Sequence, residues 1–176
     1  MVATGSRFDP ATFEQVRALA AERYGARVRL SAHPNSGRVD GHFAGTDAER
    51  ADAFVETAND PKIDAVWIAR GGYGAGRLIE RVLPRLGPEA RGKAYLGYSD
   101  AGHLLGALYA QGFEGCAHGP VVQDVKRAGG EAAVLRALAW LVDRDPAALE
   151  PSVDGRAPTA ALNLTILSTL IGTPWL

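Results

Sequence analysis

The chain has 176 residues, with 19 Lys and Arg against 20 Asp and Glu and a net charge of −1. That length suits one domain, with or without a fragment of a second, and is large enough to bury a sizeable core. Balanced charge leaves no electrostatic footprint for nucleic acid or an anionic membrane, so neither is expected as a partner.

In chain order, Val2–Ser6 reads as the end of a first strand turning into a loop, and Asp9-Pro10 supplies an N-cap and a first helical residue. Phe13, Val16, Leu19 and Ala20 recur at helical spacing up to Gly25, which is placed to end the helix. Residues 26–30 alternate Val28 and Leu30 with Arg27 and Arg29, the pattern of a strand with a basic outer face. Residues 31–45 have loop composition; His33 and His42 lie there without the carboxylate or cysteine spacing that zinc sites use, so no metal is expected. Thr46 should cap a helix over 47–59 whose buried face is Ala51, Phe54, Val55 and Ala58, with Asp60-Pro61 ending it.

The centre of the chain is the stretch from Ile63 to Gly102. Residues 63–69 form an apolar, β-branched run that predicts a buried strand. Arg70-Gly71-Gly72-Tyr73-Gly74 follows, a turn whose glycines leave backbone N–H groups uncovered at the start of a helix over 75–82. A second apolar run, 94–97, meets Ser99 just before the helical stretch 104–108. On local pattern Ser99 is either a helix N-cap or a nucleophile held on a tight strand-to-helix turn. Residues 115–122 read as a short strand and loop carrying Cys116, taken as a packed thiol, and His118; 129–143 reads as a further helix. Residues 145–158, with three prolines and no periodicity, are the linker candidate, and 159–176 is expected to open a new unit. Strands alternating with helices predict an α/β fold, a mostly parallel sheet covered on both faces with sites at the carboxyl ends of its strands.

Arg70-Gly71-Gly72-Tyr73-Gly74 with Arg77-Leu78, Gly97-Tyr98-Ser99-Asp100, His118-Gly119-Pro120, and Asn163 with Leu170-Ile171-Gly172-Thr173-Pro174-Trp175 together resemble the LD-carboxypeptidase family of serine peptidases. That family includes murein tetrapeptide carboxypeptidases and microcin self-immunity proteins. The resemblance implies an N-terminal Rossmann-like domain over 1–144, a linker over 145–158 and the start of a second domain over 159–176. It makes Ser99 the nucleophile and puts His118 on the wall of the pocket. The family's triad adds a glutamate and a histidine, which would lie beyond residue 176. Two departures stand out: Gly102 where the family commonly has threonine, expected to loosen the following helix, and Ala161-Leu162-Asn163 where it has Gly-Gly-Asn.

Chemistry fills in the rest of this expected site. A serine needs oxyanion donors, for which the N–H groups of Gly72 and Asp100 are the candidates. Arg70 is either a clamp for a substrate carboxylate or an arginine tied to its own loop. Tyr73 lines the pocket or packs, and Asp100 caps or orients the turn. His103, one turn after Ser99, is the candidate substitute base within the chain, though a side chain there projects along the helix. Neither metal nor organic cofactor is required. The expected ligand is a small peptide with a terminal D-amino acid, murein-like or microcin-like, met in the cytoplasm, since no signal peptide pattern is visible. A non-catalytic binding module on the same crevice is the rival reading, and a phosphate-binding domain built on the glycine turn ranks last. Apolar residues in 162–175 are expected to be exposed or paired with another chain, as in a homodimer.

Overall fold

The computed structural model describes residues 1–152 and 159–175. Three short parallel strands form the sheet: β1 (Ala65–Trp67), β2 (Ala94–Gly97) and β3 (Cys116–His118), in the order β1-β2-β3. Val66 lies opposite Tyr95, and Leu96 opposite Ala117. The first predicted strand is reduced to one parallel bridge, Val2 to Ile68, with Val2 N–H donating to Trp67 O at 3.1 Å and Ala69 N–H to Val2 O at 2.8 Å.

The strand expected over 26–30 does not form. Gly25–Arg27 is a 3-10 turn, and Val28 onward is extended backbone without a ladder. The alternation is nevertheless real, because Val28 and Leu30 are half-buried and Arg29 is exposed. What the stretch lacks is pairing: the bonds tying it to the sheet lie just beyond it, from the Met1 amino group to Ser31 O (2.7 Å) and from His33 N–H to Met1 O (3.0 Å).

Helices cover both faces. α1 (Pro10–Tyr24) starts at Asp9, whose carboxylate accepts from Ala11 N–H at 2.9 Å, and ends at Gly25, φ 55°. α2 (Asp47–Asn59) carries a full capping box between Thr46 and Glu49. The predicted helix over 75–82 is a 3-10 turn, Ala75–Leu78, running into α3 (Ile79–Val82); α4 (Pro88–Arg91) precedes β2 and α5 (Gly102–Ala110) follows it. α6 (Gly130–Leu138) continues as a π-helical turn, Ala139–Asp143, which Arg144 ends at φ 53°.

The candidate linker begins with a 3-10 turn capped by Asp145 and held by Arg136, which donates to Ala148 O and Leu149 O at 2.6 and 2.7 Å. Its remainder, 153–158, and residue 176 lie outside the described residues. α7 (Leu164–Leu170) then packs on α5. Ile166 and Leu170 are buried there, whereas Leu164 is 81% exposed and Ile171 65%, so the expected exposure of this stretch holds for one side of it.

Because side chains alternate across a strand, the sheet divides the core in two. Val66, Ile68 and Tyr95 join Phe54, Leu78, Leu104 and Leu108 on the α2–α5 face. Trp67, Ala69 and Leu96 join Phe13, Val16, Val134 and Leu138 on the α1–α6 face. All three strands therefore deliver their carboxyl ends to one edge, where the loops after Val2, β1, β2 and β3 meet.

Candidate active site

β2 is buried at every residue, and Gly97 at its end has no room for a side chain: a Cβ would lie 2.9 Å from Ala101 Cβ and from Ile68 Cγ1. The chain therefore turns directly into the 3-10 turn Ser99–Ala101 and α5. Ser99 pays for this turn with φ 58°, the left-handed region, which costs a non-glycine residue about 1–2 kcal/mol. Tyr98, not Ser99, occupies the N-cap position, and no side chain caps there. Among the described residues, Ser99 Oγ makes no hydrogen bond. The N-cap reading of Ser99 therefore does not hold: the residue sits in left-handed backbone with its hydroxyl unbonded among the described residues.

The glycine turn after β1 lies against it. A Cβ on Gly71 would stand 3.0 Å from Ser99 Cβ and 3.2 Å from its Oγ, so a side chain there would press on Ser99 by a few tenths of an ångström. Gly72, φ 116°, faces a different neighbour, and a Cβ on it would meet Ser6 Oγ at 2.1 Å. The N–H groups of Gly72 and Asp100 have no acceptor among the described residues.

Asp100 is buried, and its side chain makes no cap bond to its own helix, contrary to the capping expectation. Oδ2 accepts the Ala75 N–H at 2.9 Å, tying the Ser99 turn to the start of the helix after the glycine turn. Gly5 leaves it space, since a Cβ there would approach Oδ2 to 2.5 Å. Oδ1 lies 3.4 Å from His103 Nδ1. His103 does not face Ser99: Nδ1 is 3.0 Å from Asp100 O, and Nε2 is 3.0 Å from Thr169 Oγ1. Thr169 gives its own proton to Ile166 O at 2.8 Å, so it accepts from Nε2. Both ring nitrogens therefore face acceptors, an arrangement met fully by the imidazolium, and the Asp100 side-chain bond raises the His103 pKa.

The other expected residues are spread around this centre. Arg70 is exposed and donates to Arg7 O at 2.8 Å. Tyr73 is 61% exposed beside His42 and Phe43, with ring centroids 6.3 and 6.2 Å away. His118, at the end of β3, meets the Tyr98 ring edge-on at 5.9 Å. Together with Pro120, Asp124, Arg127 and Ala133, these two rings line a cavity of about 330 Å³. Tyr98 Oη donates to Asp124 Oδ1 at 3.1 Å, and burial, reinforced by Asp124, raises the Tyr98 pKa. His33 is paired with Glu56 at 2.9 Å, away from the site. Burial pushes the Cys116 thiol up to about 12, in keeping with a packed, unreactive cysteine. Among the described residues no cluster of three or more His, Cys, Asp or Glu is placed to hold a metal ion, and no helix is long and apolar enough to cross a membrane.

Sequence reading missed Arg50, which is fully buried and donates to Thr4 O, Gly45 O and Gly74 O. A signal was present: Arg50 falls one turn before Phe54, a charge on the apolar face of α2.

Residues 1–119 match the family described as Peptidase S66, the LD-carboxypeptidase N-terminal domain. The murein tetrapeptide carboxypeptidase of Pseudomonas aeruginosa is 30% identical over 146 residues, covering 75% of this chain and 47% of that protein. Among solved structures, the muramoyltetrapeptide carboxypeptidase from Oxalobacter formigenes aligns with a TM-score of 0.71 at 22% identity, over 99% of this chain and 60% of that one. The microcin C7 self immunity protein MccF in complex with aspartyl sulfamoyl adenosine gives 0.70 at 20% identity, over 99% and 63%. At such identities these structures show the fold, a parallel sheet flanked by helices. The chain spans about half the length of the relatives it matches in sequence.

Proposed function

The chain belongs to the LD-carboxypeptidase family, and from that premise we propose that it carries the nucleophile of a serine carboxypeptidase that releases a terminal D-amino acid from murein tetrapeptide-like substrates. The observation that carries this reading is Ser99 at φ 58°, its hydroxyl unbonded among the described residues and Gly71 packed on it. Ser99 Oγ attacks the carbonyl of the L,D-peptide bond, the N–H groups of Gly72 and Asp100 receive the oxyanion, and water releases the acyl group in a second step. The glutamate and histidine of the family's triad lie, on this reading, beyond residue 176, and among the described residues no histidine is bonded to Ser99 Oγ. Arg70, Tyr73 and His118 are assigned to substrate binding, and the cavity of about 330 Å³ beside Tyr98 and His118 is spacious enough for a substrate side chain. On this reading the protein acts in the cytoplasm on internalised peptides, and residues 145–158 link this unit to the next.

A fluorophosphonate tests the serine and D-alanine release from an L,D-tetrapeptide tests the substrate. In the full-length protein, labelling that Ser99→Ala abolishes, with release of D-alanine, supports the proposal; a folded full-length protein that never labels removes Ser99 from the chemistry. A microcin-type self-immunity peptidase is the alternative within the family, separated by offering an aminoacyl sulfamoyl nucleoside instead. The non-catalytic binding module remains the second reading because both nitrogens of His103 are engaged elsewhere. It predicts peptide binding without labelling.

A further inference from the structure

A buried guanidinium is costly unless its donors are met. Arg50 meets them with three loops at once. Nη1 donates to Thr4 O and, at 3.1 Å, to Gly74 O; Nε donates to Gly45 O at 3.2 Å; Nη2 pairs with Asp47. The group also lies over the Phe43 ring, 4.8 Å from its centroid. Thr4 follows the first strand bridge, Gly45 precedes α2 and Gly74 closes the glycine turn. A planar fork with five donors can span carbonyl oxygens in three directions, which the single ammonium of lysine cannot do.

The Gly74–Ala75 peptide unit is consequently gripped at both ends. Its C=O accepts from Arg50, and its N–H donates to the Asp100 carboxylate at 2.9 Å. Asp100 directly follows Ser99. One peptide plane thus joins a cation on α2 to an anion on the nucleophile turn, and nothing larger than glycine fits at its start: at φ 119°, a Cβ on Gly74 would lie 2.8 Å from the Phe43 ring and 2.9 Å from Arg50 Nη1.

Resting on the serine-hydrolase reading, we infer that Arg50 is a positioning residue that locks the glycine turn onto the nucleophile turn and so sets the distance between the Gly72 and Asp100 N–H groups. It touches neither substrate nor Ser99. Displacing one of two donors by about 1 Å is enough to cost roughly 100-fold in rate, so the effect of Arg50 belongs to the chemical step and not to the affinity for the reagent.

The test uses the full-length protein, with the triad's glutamate and histidine present, carrying Arg50→Lys or Arg50→Met. Amide exchange is followed at Ala75 and Arg77, whose N–H groups are bonded within the turn region, and at Ile68 and Ala69, which are bonded within the sheet. Labelling of Ser99 by a fluorophosphonate is followed as maximal rate and half-saturating concentration separately. The expected result for Arg50→Lys is faster exchange at Ala75 and Arg77 with Ile68 and Ala69 still protected. Its maximal labelling rate should fall about 10- to 100-fold at an unchanged half-saturating concentration. Exchange rising equally at all four amides, an unchanged maximal rate, or loss of the fold in both variants overturns the inference, because the arginine then serves the fold at large. A full-length wild-type protein, with the triad's glutamate and histidine present, that does not label defeats the serine-hydrolase reading instead, and the exchange comparison alone then decides whether Arg50 holds the turn.

Discussion

Ser99 shows what a single backbone angle can carry. Its left-handed φ of 58° is a cost that glycine would not bear. Ser99→Gly should therefore exceed Ser99→Ala in stability by about 1 kcal/mol, measured by urea unfolding, while both lose all labelling. A position free of such strain would instead leave Ser99→Ala the more stable, since glycine loses more backbone entropy on folding. At Gly72, φ 116° and the contact with Ser6 leave no space for a side chain, so Gly72→Val should lower the labelling rate ~100- to 1,000-fold by displacing a donor. The glycine turn was legible in the sequence as a turn with bare N–H groups. Which glycine faces which partner was not: Gly71 lies on Ser99 and Gly72 on Ser6 because Ser6 arrives from the other end of the chain, a contact no local pattern encodes. Arg50 was hidden for a related reason, since its carbonyl partners in three loops carry no sequence signature.

Between elements, the smallness of α5 decides what packs on it. A Cβ on Gly102 would meet Ile166 and Leu162 at 3.2 and 3.3 Å, and one on Gly106 would meet Leu170 at 3.0 Å. Gly102, expected to loosen its helix, is instead part of the surface that receives α7. Gly106→Ile should free α7, raising amide exchange over 164–170 while β1 and β2 stay protected; unchanged exchange would mean that α7 is held elsewhere. His103 adds a polar link across the same contact. Its folded pKa is raised, so its contribution is full below the unfolded value of 6.5 and disappears as pH rises through the folded one. The urea midpoint gap between wild type and His103→Asn should therefore be wider at about pH 6 than at about pH 9. Helix starts were the most legible elements, Asp9 and Thr46 above all, because a cap is local chemistry. The strand expected over 26–30 failed because alternating burial is necessary for a strand but pairing makes one.

At the scale of the molecule, the α/β fold followed from strands alternating with helices, whereas the shortness of the strands did not, since it depends on where loops leave the sheet. β1 and β2 feed both apolar clusters, Val66 one and Trp67 the other. Trp67→Ala should cost about 3–5 kcal/mol and lower the unfolding free energies of amides on both faces together; a drop confined to the α1–α6 face would mean that the two halves unfold separately. The double grip on the Gly74–Ala75 peptide carries a further consequence, one of timing. It joins Thr4, Gly45, Arg50, Gly74 and Asp100, positions spread over more than half the chain. Contacts so distant in sequence form late, after parallel pairing has closed the intervening loops. On the proposed reading, a chain caught earlier in folding has Ser99 without the Gly72 and Asp100 donors set around it, and gains that arrangement only when assembly is nearly finished.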